Sequence, residues 1–197
     1  MAQRRHHYES AFESYLRSRR IPYIAVDEAR KTLLPAAPSS GTSISDAGPD
    51  ALKSFDFVVY AETGNLLIDV KGRAAARSRR AREPRLESWV TEEDVQSMTR
   101  WEALFGADFR AAFAFIYCQD EQPPDAQFDE IFEDHGRWYA VRLVYLSDYS
   151  RHMKPRSPRW RTLDIAPGDF HRIGGPLCRP QGFSRCAAGP ARSAWRG

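Results

Sequence analysis

The chain has 197 residues, enough for one domain with a full core and not comfortably for two. With 42% hydrophobic, 28% charged and 12% aromatic residues, its composition excludes wholesale disorder, a collagen and a small disulfide scaffold. The net charge is only +3, from 29 basic and 26 acidic side chains, but it is unevenly spread. Residues 71–85 carry Lys71, Arg73, Arg77, Arg79, Arg80, Arg82 and Arg85 against the single acid Glu83. Residues 151–161 hold Arg151, Lys154, Arg156, Arg159 and Arg161 with no acid, whereas residues 119–134 hold seven acids and no base. Two basic clusters point to a phosphate-rich partner.

No apolar run approaches the ~20 residues of a membrane span, so no membrane association is expected. The basic residues 1–7 run into charged sequence and not an apolar signal core, so no secretory leader is expected. Cys118, Cys178 and Cys186 form no C-x-x-C pair and leave an odd one over. They read as reduced thiols of a cytoplasmic protein.

In chain order, residues 6–19 predict a helix, with Tyr8, Phe12, Tyr15 and Leu16 at helical spacing and Pro22 marking its end. Residues 23–26 are short, β-branched and aromatic and predict a strand. Residues 34–50, rich in Pro, Ser, Gly and Ala, predict a loop. Residues 54–60 and 66–71 predict two strands joined as a hairpin through Ala61-Glu62-Thr63-Gly64-Asn65. An arginine-rich segment follows. Thr91 with Asp94 three residues on predicts a capped helix, carrying Val95, Met98, Trp101, Leu104 and Phe105 on one face and closed by Gly106. Residues 113–117 and 138–146 predict the last two strands, separated by the acidic loop. The αβββαββ order predicts an α/β fold with a mixed sheet of about five strands flanked by helices. Residues 1–173 form one domain on this reading, and 174–197, with little apolar material, a disordered tail.

The chemistry concentrates in the hairpin. Asp56 and Asp69 interrupt apolar strands, and Lys71 lies two residues past the second, on the same face as Asp69. In a regular antiparallel pair with an even loop, Asp56 and Asp69 share a face with Leu67, Val58 and Tyr60, leaving Phe55, Phe57, Val59, Leu66, Ile68 and Val70 as the core side. Two carboxylates and an ammonium at a sheet surface suit metal-assisted phosphodiester hydrolysis. Carboxylate oxygens hold Mg²⁺ or Mn²⁺, and a lysine orients water or neutralises developing charge. The competing reading is a surface ion pair, disfavoured because an acid between Phe55 and Phe57 is costly to place there. His135, His152 and His171 lack partners at zinc-ligand spacing.

Asp56, followed thirteen residues later by Asp69-Val70-Lys71, resembles the motif of the PD-(D/E)XK nuclease superfamily, the restriction-endonuclease-like fold that includes archaeal Holliday junction resolvases. Phe55 stands where that motif often has proline. The resemblance covers residues 8–146 and includes the helix and strand of residues 95–115. It implies a metal-dependent DNA endonuclease. Asp56, Asp69 and the Val70 carbonyl would be metal ligands, Lys71 the orienting cation and Glu9 an auxiliary acid, with Glu13 and Gln96 as further candidates. Many enzymes of this fold act as dimers, because one site cuts one strand. Arg73, Arg77, Arg79, Arg80, Arg82, Lys154, Arg156 and Arg159 are the expected nucleic-acid contacts. His7-Tyr8-Glu9-x-Ala11-Phe12-Glu13 also resembles the H-Y-E-x-A-F-E signature of a bacterial family. A non-catalytic nucleic-acid-binding module on the same fold is the alternative, and a protein-interaction domain working through the acidic loop a third.

Overall fold

In the computed structural model, residues 3–26, 52–62, 64–74, 86–123 and 130–177 are described. Helix α1 (Gln3–Ser18) buries Ala11, Phe12, Tyr15 and Leu16 on one face. It ends before Pro22, because Arg20 turns left-handed (φ 56°). The N–H of Ile21 then donates to the Leu16 carbonyl at 2.9 Å and that of Arg20 to Arg17 at 3.0 Å, the paired bonds of a Schellman motif.

Six strands form the main sheet in the order β1-β2-β3-β5-β7-β6. They are β1 (Tyr23–Ala25), β2 (Phe57–Ala61), β3 (Gly64–Ala74), β5 (Phe109–Gln119), β6 (Ile131–Asp134) and β7 (Arg137–Tyr145). Among the described residues only β3 and β5 pair in parallel. The crossover between them holds β4 (Val90–Thr91) and α2 (Glu92–Phe105), as a parallel connection requires. A second, three-stranded sheet joins β4 to β9 (Thr162–Ile165) and β8 (Met153–Ser157). Two short helices, α3 (Leu146–His152) and α4 (Pro167–Ile173), complete the fold.

The expected α/β class, a mixed sheet flanked by helices, is the one observed, with differences in detail. The sheet has six strands where about five were expected, because β6 arises inside the acidic stretch by pairing with β7. The second sheet, α3 and α4 carried no long periodic signal. Gly64 opens β3 at φ 120°, so the hairpin turn is tighter than the five-residue connection predicted, with Ala61 already paired to Gly64. Leu104 is 63% exposed, and Phe105, 38% exposed, reaches only the edge of an aromatic cluster with Phe55, Trp101 and Phe109. Residues 174–177, expected to belong to the tail, pack against the fold. Gly175 bridges to Leu143, and Leu177 is buried with its N–H on the Glu130 carboxylate. Residues 178–197 lie outside the described residues.

Both faces of the sheet are covered. Phe57, Val59, Leu66 and Ile68 pack under α1, while Val58, Leu67, Phe113 and Phe115 pack with residues of α2, α3 and α4. The expectation of a single core side is therefore corrected. Phe55 departs from the predicted alternation too. A bend at Asp56 turns it to the α2 side, where its ring meets Trp101 edge-on at 5.3 Å.

Candidate active site

The site begins with the hairpin register. Phe57 pairs with Ile68 and Val58 with Leu67, so residue numbers across the ladder sum to 125, the even-loop arrangement expected from the sequence. Period-two alternation then carries Asp69 and Lys71 onto the face of Leu67, beneath α2. Asp69 is buried, and its carboxylate meets Lys71 Nζ at 2.7 Å. Asp56 sits at the bend that opens β2. One of its oxygens accepts the Val70 N–H at 2.7 Å, tying the two strands of the hairpin together at the site.

The charges explain one another. Burial, reinforced by Asp69 and by Glu9 on α1, pushes the Asp56 carboxyl up to about 7, although the Val70 N–H and Lys71 pull it down. Burial also raises Asp69, against the pull of Lys71. Burial disfavours charge on Lys71, but Asp69 and Asp94 more than offset this and hold it above the ordinary lysine value. Asp56 and Asp69 are thus both raised, chiefly by burial, with Asp69 and Glu9 adding to the rise of Asp56.

Asp94 is the residue at the candidate site that sequence reasoning missed. Its spacing from Thr91 predicts a capping box, and that box forms: Asp94 N–H donates to Thr91 Oγ1 at 3.1 Å and Thr91 N–H to the Asp94 carboxylate at 2.9 Å. The same carboxylate reaches Lys71 Nζ at 3.1 Å and also pairs with Lys53. Burial opposes its charge, but Lys71, Lys53 and the Thr91 N–H hold Asp94 far below the usual carboxylate range. Lys71 is thus gripped from two elements, β3 and α2. The only local signal was an acid at the start of a helix.

α1 brings Glu9 to the site. Glu9, Ser10 and Glu13 line one side of a cleft of ≈ 260 Å³ whose other walls are Ala25, Val26, Asp56 and Phe57. Glu13 accepts from Tyr23 Oη at 2.7 Å and pairs with Arg17 at 2.6 Å. The neighbouring residues set the helix down. The His7 ring contacts Tyr139 Oη at 3.2 Å, and the Tyr8 ring lies where a side chain on Gly72 would be.

The remaining candidates are dispersed. Gln96 is exposed on α2 while Asp94, Val95, Ser97 and Met98 are buried, so it is not brought to Lys71. Arg73 lies 3.9 Å over the Trp89 ring and donates to the Gly72 and Trp89 carbonyls. Arg156 approaches the same ring at 5.4 Å and pairs with Glu87 at 3.5 Å. Lys154 and Arg159 are exposed, and Arg77, Arg79, Arg80 and Arg82 lie outside the described residues.

No family model and no curated protein matches the chain. The H-Y-E-x-A-F-E resemblance therefore has no family model behind it. Among solved structures, the chain is similar to the Holliday junction resolvase Hjc of Archaeoglobus fulgidus, with a TM-score of 0.46 and 16% identity over 86% of this chain and 93% of that one. No helix among the described residues is long and apolar enough to cross a membrane.

The donor set fits a hard divalent cation held in part by water. Among the described residues no three His, Cys, Asp or Glu side chains form a cage of their own. Asp56, Asp69 and the Val70 carbonyl are oxygen donors, and a cation would favour the charged forms of two carboxyls that burial raises.

Proposed function

We propose that the chain is a metal-dependent DNA endonuclease of the PD-(D/E)XK type, with the restriction-endonuclease-like fold that its motif implies. The observation that carries this reading is the meeting of Asp56, Asp69 and Lys71 on one hairpin, with Glu9 close enough to raise Asp56. Mg²⁺ or Mn²⁺ would supply Lewis acidity to the phosphoryl group and a lowered pKa to a water. Asp56, Asp69 and the Val70 carbonyl would hold it. Lys71, anchored by Asp94, presents its ammonium to the attacking water or to the phosphate. Glu9 would take a proton or orient a second water. In the hydrolysis, water oxygen bonds to phosphorus, one ester P–O bond breaks, and the leaving oxygen is protonated. Exposed Lys154, Arg156 and Arg159 supply phosphate contacts, as Arg77, Arg79, Arg80 and Arg82 would from the segment after β3. A homodimer in the cytoplasm is the working state on this reading.

One observation favours a second reading, a nucleic-acid-binding module without turnover: Asp69 is already neutralised by Lys71. Cleavage of labelled DNA with Mg²⁺ or Mn²⁺ and with EDTA, wild type beside Asp69→Asn, separates the two. Metal-dependent cutting that the substitution abolishes supports the nuclease. Salt-sensitive binding with no cutting by either protein overturns it in favour of the module.

A further inference from the structure

The turn between β8 and β9 holds a side chain that the fold does not need. Turn positions ordinarily carry small or polar residues. Here residues 158–161 present Trp160, whose surface is 69% exposed, so it adds little to the core. The Arg159 guanidinium lies 5.3 Å from the centre of the indole ring and, among the described residues, makes no ion pair. Arg156, Arg159, Lys154 and Arg161 surround the turn in sequence without an acid among residues 151–161. Two acids that neighbour this element have basic partners: Glu87 meets Arg156 at 3.5 Å, and Glu92 meets Arg161 at 3.0 Å.

The turn is also tied to the start of α2. Arg161 adopts φ 46°, a left-handed conformation that places its carbonyl to accept the Glu92 N–H at 2.9 Å. Thr91 pairs with Thr162 across β4 and β9. Glu92 opens the helix whose first turn carries Asp94, and Asp94 grips Lys71. A rigid aromatic face among cations, tied to the helix that anchors the catalytic lysine, is what stacking on an exposed base requires. Bases inside an intact duplex are stacked on one another and offer no such face.

We infer that Trp160 is a base-stacking residue, and that the substrates of this site are DNAs with unpaired nucleotides beside the cleaved bond. The inference deepens the nuclease reading and rests on it for the word substrate, but its binding part stands separately. Arg159 and Arg156 contact the flanking phosphates and give no sequence preference.

The test is fluorescence anisotropy of the full chain in EDTA, on a labelled duplex with a short single-stranded gap and on an intact duplex of equal length at one ionic strength. Wild type binds the gapped DNA more tightly. Trp160→Ala weakens that binding about 5- to 150-fold, the range of one lost base stack, and changes intact-duplex binding by less than about twofold. Trp160→Phe keeps most of the preference. An unchanged melting temperature for Trp160→Ala excludes misfolding. Equal losses on both DNAs, or no loss on either, overturn the inference. Metal-dependent cutting, read in parallel with Asp69→Asn, tests the nuclease separately. Cutting that persists without a Trp160 effect sinks only the inference, and a Trp160-dependent gap preference without cutting sinks only the nuclease.

Discussion

Replacing Lys71 by Met keeps the side-chain stem over the Phe113 ring, which the ammonium now faces at 5.9 Å, and removes the charge. Lys71 lies 2.7 Å from Asp69 and 3.1 Å from Asp94, and the three side chains are 11%, 9% and 4% exposed. Taking one partner out of a buried pair costs about 3–5 kcal/mol, because the other charge stays behind without water. Asp94 keeps Lys53 and the Thr91 N–H, so it is not stranded. Asp69 keeps only the weaker pull of Lys53, which places the expected loss near the lower bound, about 3 kcal/mol at pH 8. Asp69, already raised by burial, rises further without Lys71 and takes up a proton at lower pH. A group whose folded pKa is raised favours folding below its unfolded value and loses that contribution as pH rises. The loss therefore shrinks as the pH falls from 8 to 5.5. Urea unfolding at both pH values measures it. Adding Asp69→Asn to Lys71→Met should recover about 2 kcal/mol at pH 8, and that coupling isolates the pair. A loss under about 1 kcal/mol at pH 8, or the same loss at both pH values, would refute the buried ion-pair account.

Asp56→Asn keeps an oxygen for the Val70 N–H and removes a carboxyl raised from 3.8 to about 7, so it should stabilise the protein by about 4 kcal/mol at pH 8 and change little at pH 4. The same variant should lose the rise in melting temperature that Mg²⁺ or Mn²⁺ produces in wild type. A destabilised variant at pH 8 would show that the carboxylate is held at no expense to folding. Gly72→Ala places a Cβ against the rigid Tyr8 ring and should displace the start of α1, with a loss of about 1–3 kcal/mol by thermal unfolding. Tyr8→Ala in the same chain should restore most of it, and an undiminished single variant would mean that α1 does not rest on β3 there.

Much of the site was legible before folding. Alternation alone puts Asp69 and Lys71 on one face, and an even hairpin loop puts Asp56 opposite Asp69, because both rules depend only on the pleat of a strand. The capping box at Thr91 and Asp94 was equally local, three residues apart on one helical turn. The short strands of the second sheet were not legible. Lys154 and Arg156 in β8 have no apolar alternation, and the strand exists only because β9 supplies its hydrogen-bond partners. Phe55 escaped for a related reason: the bend at Asp56 is set by the bonds that Asp56 makes to β1 and β3, not by residues 54–60 themselves.

The division falls along distance in the chain. Residue type and spacing determined the mixed α/β class, the acid-acid-lysine motif and the helix that follows it. Only the tertiary structure decided that a helix-capping aspartate also holds Lys71, that Gly72 seats α1 so that Glu9 reaches Asp56, and that both faces of the sheet are covered. These depend on the parallel pairing of β3 with β5, which carries α2 across the hairpin face and brings Asp94 and Lys71, 23 positions apart in sequence, into contact. No local propensity encodes that crossing, since a side chain's own neighbours favour a helix or a strand and not the element packed against it.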